Sequence, residues 1–219
     1  MTQRPNISEI YKRLSENYLT FAENGNEWDA KGLSSTTFKN LVSVTLSTMT
    51  YTKRVITACT ALYAKAETPQ DILALEDDEL IALIKPVAHY NRKAKHLKTM
   101  CQQLLTRHNG QVPNTKKELL ALQGVGMKCA DLIMNFNFGS VDIAIDTHIQ
   151  RVVNRLGIIK TTSSKKTSLI LNTITPESYK KHAHEWLIQH GMNVCTARAP
   201  QCGQCFLSDL CEFQTSRQD

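Results

Sequence analysis

Residues Leu119–Gly139, LLALQGVGMKCADLIMNFNFG, decide how the chain is read. Two apolar runs with helical spacing meet at Gln123-Gly124-Val125-Gly126. Two glycines around one small apolar residue allow a very tight turn, because glycine tolerates positive φ and has no Cβ in the way. The second helix starts where the turn ends. Its first N–H groups have no partner within the helix, so the turn offers an anion site that suits a nucleic-acid phosphate. Lys128 falls in the first turn of that helix. A positive helix end disfavours an ammonium there and favours the neutral amine, which is the nucleophilic form.

Further along stands Ile143-Ala144-Ile145-Asp146-Thr147-His148. Asp146 closes an apolar run and precedes another helix, where a carboxylate can cap the first N–H groups. Beyond it, Cys195, Cys202, Cys205 and Cys211 follow the spacing C-x6-C-x2-C-x5-C. Thiolates this crowded usually share a metal. Zinc sites typically use two short pairs well apart in sequence. Here one C-x2-C has single cysteines on either side, which suits a chain wrapped around one compact cluster. The seven cysteines are an odd number, which argues against a disulfide framework. Cys59, Cys101 and Cys129 lie in helical runs and read as small core residues.

The 219 residues leave room for one large domain or two small ones. A net charge of +6 is compatible with a polyanionic partner without proving one. Basic residues cluster at Arg92, Lys93, Lys95 and Lys98, at Lys116 and Lys117, and at Lys165 and Lys166. Each cluster reads equally well as a solvated helix face. No run is long and apolar enough to span a bilayer, and MTQRPNISEI lacks a signal-peptide core. A soluble cytoplasmic protein is expected, nucleoid-associated if the source is bacterial.

Apolar periodicity predicts helices over Ser8–Phe21, from Phe38 to Leu46, from Lys53 to Ala66, and over Glu79–Lys85 and Lys93–His108. Others follow over the hairpin, from Asp146 to Leu156, over Lys165–Thr173 and over Glu177–His190, with Gly191 as the last stop. Thr68-Pro69 marks one further helix start. No stretch alternates over strand length, so the fold class is all-α.

Taken in order, Leu122–Lys128 (L-x-G-V-G-x-K), Asp146–His148 (D-T-H) and the cysteine loop resemble the helix-hairpin-helix (HhH-GPD) DNA glycosylase family. The likeness covers nearly the whole chain. It implies a two-lobed helix-hairpin-helix DNA glycosylase fold with the active-site cleft between the lobes. Residues 30–140 would form a six-helix barrel domain containing the hairpin. Residues 1–29 and 141–219 would form an iron–sulfur cluster domain. The resemblance further implies a [4Fe–4S] cluster on Cys195, Cys202, Cys205 and Cys211, one thiolate per iron, with zinc as the alternative. A monovalent cation at the hairpin belongs to the same expectation.

The implied activity is base excision repair: a DNA glycosylase with AP lyase activity that removes damaged pyrimidines. Lys128 would be the Schiff-base nucleophile. Asp146 would act as a base toward the amine or as an electrostatic stabiliser. Gly124, Val125, Gly126 and His148 would contact DNA, as would Arg198, the one basic residue in the loop Thr196–Gln201. The expected partner is double-stranded DNA with a damaged base or an abasic site, bound by a monomer, with no membrane. Two rival readings stand beside this one. One is a uracil or mismatched-thymine glycosylase on the same scaffold. The other is a non-catalytic DNA-binding protein with a structural metal.

The chain departs from the family where a flipped base must be replaced in the stack. Relatives use a glutamine in L-S-x-Q-x-x-D and a leucine just before Y-N-x-K-A. Here Leu46–Thr52 carries Met49 in place of the glutamine and Thr52 in place of the aspartate. His89 replaces the leucine before Tyr90-Asn91-Arg92-Lys93-Ala94. Met49 can slide against bases but cannot read them, whereas His89 can stack and donate a hydrogen bond. A changed lesion or opposite-base preference is expected. Gln123 stands where the family usually has proline, and a slightly looser hairpin is expected.

Overall fold

The computed structural model describes residues 6–25 and 27–216. Its α-helices run α1 Ile7–Asn17, α2 Glu27–Ala30, α3 Thr37–Ser47, α4 Thr52–Tyr63, α5 Pro69–Ala74, α6 Asp77–Ile84 and α7 Tyr90–His108. They continue as α8 Lys116–Ala121, α9 Met127–Phe138, α10 Thr147–Arg155, α11 Ser164–Ile174, α12 Glu177–Asn193 and α13 Glu212–Thr215. Among the described residues there is no strand, and no helix is long and apolar enough to cross a membrane. The structure is all-α, as its periodicity predicts.

Local chemistry starts the helices. Asn6, Thr36, Thr115 and Ser163 each accept a hydrogen bond from the N–H three residues on. Thr68 and Asp71 form a reciprocal capping box around Pro69.

The chain forms two compact units. One is continuous, from Gly25 to Gly139. Its helices bury residues such as Leu41, Leu62, Ile84, Leu104, Leu119 and Ile133. The other joins the segment ending at Asn24 to the segment beginning at Ser140. Its core explains the joining. Ile10, Tyr11 and Leu14 form one stripe of α1 and pack in a cluster with Ile149, Val152 and Val153 of α10 and Leu187 of α12. Tyr11 also shares a hydrogen bond with Thr175 (3.0 Å) and stacks on Tyr179.

Several helix ends shift by a few residues from the expected ones, and two of them have a clear cause. α1 stops at Asn17 because Tyr18 turns extended, and its hydroxyl reaches His190 Nδ1 at 3.0 Å. α12 runs through Gly191 instead of ending there. A Cβ on Gly191 would lie 2.9 Å from His148 Cβ and 3.2 Å from the His148 carbonyl. The glycine permits close approach of α12 to α10 and is not a stop signal.

Candidate active site and metal centre

In the continuous unit, α8 gives way to an extended Leu122, and Gly124 takes φ +84°. Gly126 is the N-cap of α9 and offers no capping side chain. The turn therefore leaves backbone donors at the helix start, where an anion is favoured. Val125 is buried, so only its backbone can serve a ligand. Gln123 does not loosen the approach to the turn. Its N–H, which proline would lack, donates to Gln103 Oε1 at 2.7 Å, and Gln103 Nε2 donates to the Ala121 carbonyl at 3.3 Å. Lys116 pairs with the buried Asp131 at 2.5 Å and so ties α8 to α9. Lys128 sits half-buried in the first turn of α9.

Two of the departures from the family pattern, Met49 and His89, are exposed tips with left-handed backbone. Met49 has φ 55° and is 81% exposed, and His89 has φ 57° at the start of α7. Near them is a residue of a basic cluster that the sequence leaves open between a DNA-facing patch and a solvated face. Lys93 is buried, and its ammonium donates to the carbonyls of Leu46 (2.8 Å) and Thr48 (2.7 Å) and to Thr50 Oγ1 (3.1 Å). Burial, with the Arg92 guanidinium next, brings its pKa down to about 8. A cavity of about 190 Å³ lies against Thr48, Arg92, Lys93, His96, Gln123 and Gly124.

In the discontinuous unit, Asp146 caps α10. Its Oδ1 accepts from the N–H groups of His148 and Ile149, both at 2.9 Å. His148 Nδ1 lies 3.3 Å from an Arg151 guanidinium nitrogen. Arginine can only donate, so this nitrogen accepts and a neutral ring carries its proton on Nε2.

Cys195, Cys202, Cys205 and Cys211 line one cavity with Arg155 and His190. Among the described residues, no three Cys, His, Asp or Glu side chains are grouped as ligands of a single ion. Four cysteines lining one cavity are the donor set that a compact iron–sulfur cluster takes, one thiolate per iron. Burial pushes the Cys205 and Cys211 thiols up, and the other cysteines add to it. Holding these two as thiolates is favoured by the positive charge of bound metal. Around them, α10 supplies two arginines that the sequence does not single out. Arg151 donates to the carbonyls of Cys195 (2.8 Å) and Gly191 (2.6 Å). Arg155 donates to those of Thr196 (2.7 Å) and Ala197 (3.0 Å) and lies over the Phe213 ring. Arg198 is exposed on this same loop. Cys59, Cys101 and Cys129 belong to the continuous unit and are buried there as small core residues.

An all-α fold with a glycine hairpin and a cysteine loop defines a class. Residues 42–177 match the HhH-GPD superfamily of base excision DNA repair proteins, and residues 195–211 match the iron–sulfur binding domain of endonuclease III. Endonuclease III of Haemophilus influenzae is 41% identical over 177 residues, covering 81% of this chain and 84% of that protein. Endonuclease III of Escherichia coli K12 is 39% identical over 180 residues, with shares of 82% and 85%. A non-covalent endonuclease III–DNA complex superposes with a TM-score of 0.88 at 28% identity, covering 100% of this chain and 99% of that one. A trapped covalent endonuclease III–DNA intermediate superposes at 0.85 with 29% identity, covering 97% and 95%. The chain belongs to the endonuclease III family of the HhH-GPD superfamily. Its cofactor is a [4Fe–4S] cluster.

Proposed function

We propose that this chain is a bifunctional DNA glycosylase and abasic-site lyase acting on damaged pyrimidines in duplex DNA, with Lys128 as nucleophile and Asp146 as its partner. The observation that carries the reading is a half-buried lysine in the first turn of the helix that leaves the glycine hairpin. The covalent DNA complex of a structurally similar endonuclease III supports it.

Lys128 Nζ attacks C1′ of the target deoxyribose. The bond from C1′ to the base nitrogen breaks, and its electron pair leaves with the base. The amine loses a proton, the C1′–O4′ ring bond breaks with its electron pair going to O4′, which takes up a proton, and a Schiff base forms. That imine acidifies the C2′ proton. Its removal expels the 3′ phosphate oxygen, and water then releases the lysine. As C1′ becomes cation-like, the Asp146 carboxylate offsets the charge, and its cap bonds fix its orientation. The hairpin N–H groups and Arg198 hold phosphates, and His148 presents an N–H to the same backbone. Met49 and His89 fill the gap left by the extruded base. Cys195, Cys202, Cys205 and Cys211 hold the cluster, which anchors the loop Thr196–Gln201. The work is done in the cytoplasm, on the nucleoid if the source is bacterial.

Borohydride reduction traps a Schiff base, so the wild-type chain should become covalently attached to abasic duplex. Lys128→Ala should abolish that adduct. Undiminished trapping by the variant would remove Lys128 from the mechanism.

A further inference from the structure

We infer that Thr50 and Lys93 are positioning residues that lock Met49 and His89 into one two-pronged wedge. The inference rests on the reading of those two tips as gap-fillers. The geometry that carries it lies entirely within the continuous unit.

Neither tip adopts its backbone conformation by default. A methionine and a histidine both hold positive φ, which persists only where the surroundings over-determine it. Lys93 supplies those surroundings directly on the Met49 side and, through Thr50, beside His89. Its ammonium holds Thr48 and Thr50, the neighbours of Met49. The His89 carbonyl accepts the first backbone bond of α7, from the Lys93 N–H at 3.0 Å. Thr50 joins the loops directly. Its hydroxyl accepts the Ala88 N–H at 3.0 Å across 38 residues of sequence and donates to the Thr48 carbonyl at 3.2 Å. With the Lys93 ammonium as second donor, all three hydrogen-bonding positions of that hydroxyl are used. A buried ammonium usually lies beside a carboxylate. This one instead spends its donors on the loop that carries Met49, as a cation does at a helix C-terminus.

A wedge whose prongs are set before DNA arrives does not have to be ordered during base extrusion. The rate of extrusion is therefore the quantity that Thr50 controls. Thr50→Val removes the hydroxyl at nearly constant shape, and Thr50→Ser returns it. The measurement pairs 2-aminopurine fluorescence, with the probe opposite the lesion, with single-turnover base release. The same enzymes are then assayed for strand cleavage at a preformed abasic site, where no base must be extruded.

Thr50→Val should slow extrusion and base release about tenfold, the loss expected for one buried hydrogen-bond network. It should slow cleavage of the abasic duplex much less, and Thr50→Ser should restore both. Wild-type extrusion by Thr50→Val overturns the proposal, as does an equal loss in both assays. Met49→Ala separates the two layers of the argument. If it too extrudes normally, the wedge reading fails. If it is slow while Thr50→Val is fast, only the lock fails.

Discussion

Lys93 carries the plainest residue-scale consequence. Its pKa of about 8 lies below the ordinary lysine value of 10.5. Between those values the unfolded chain keeps a proton that the folded chain has released. Stability contributed by this residue therefore rises with pH across that window, and the full cost of burying the charge is present below it. Measured against Lys93→Met, the wild type should gain in urea midpoint from pH 8 to 10.5. A flat difference would mean that the ammonium is not held out of water. At Asp146 the capping role and the proposed part in base removal can be separated. Asn keeps an Oδ1 acceptor for the His148 and Ile149 N–H groups but carries no charge. Asp146→Asn should hold stability within about 0.5 kcal/mol, while Asp146→Ala should lose about 1 kcal/mol of capping. Both should slow base release on the order of a hundredfold. Equal melting temperatures for the two variants would show that the cap contributes nothing.

At the scale of elements, the hairpin and the α10–α12 contact behave differently from what their glycines suggest. A Cβ at Gly124 would meet His96 Cβ at 3.2 Å in a backbone with φ +84°, so Gly124→Ala is strained twice. It should cost about 1–3 kcal/mol and weaken binding to any duplex. Denaturant melts and a filter-binding titration check the two effects. Gln103→Ala tests the brace on the turn, and removing that side chain should cost about 1 kcal/mol. The helix positions were legible in the chain because caps and 3.6-residue periodicity are local properties. Gly191 was misleading for the same reason. A glycine that ends a helix and one that admits a neighbouring helix look alike until the neighbour, here His148, is in place. Gln123 misled in the opposite sense. Its departure from proline suggested looseness, and only the partner Gln103, 20 residues earlier, supplies the compensation.

For the whole molecule, the cluster and the DNA surface set the predictions. Purified protein should be yellow-brown. Stripping the iron should lower the melting temperature and release the loop that Arg151 and Arg155 hold through the carbonyls of Cys195, Thr196 and Ala197. Stoichiometric zinc with no iron would contradict the cofactor. Affinity for duplex should fall steeply with salt, and Arg198→Ala should reduce the logarithmic salt slope by about 1. An unchanged slope would take Arg198 out of the interface. The basic clusters needed the fold to be sorted. Lys98 bonds the Leu75 carbonyl and Asp77, Lys116 is tied to Asp131 and Lys93 is buried, so Arg92 and Lys95 remain as the exposed members of their group.

The chain by itself determined the all-α class, the hairpin with its lysine, the aspartate at a helix start and the crowded thiols. Each is written in neighbouring residues, through glycine's freedom, side-chain capping and ligand spacing. Only the tertiary structure decided that α1 joins the C-terminal segments, that two arginines of α10 hold the cysteine loop, and that Lys93 faces inward onto Leu46, Thr48 and Thr50. Those outcomes depend on burial and on hydrogen-bond partners brought in from distant parts of the chain, and no local pattern encodes a partner that arrives only on folding.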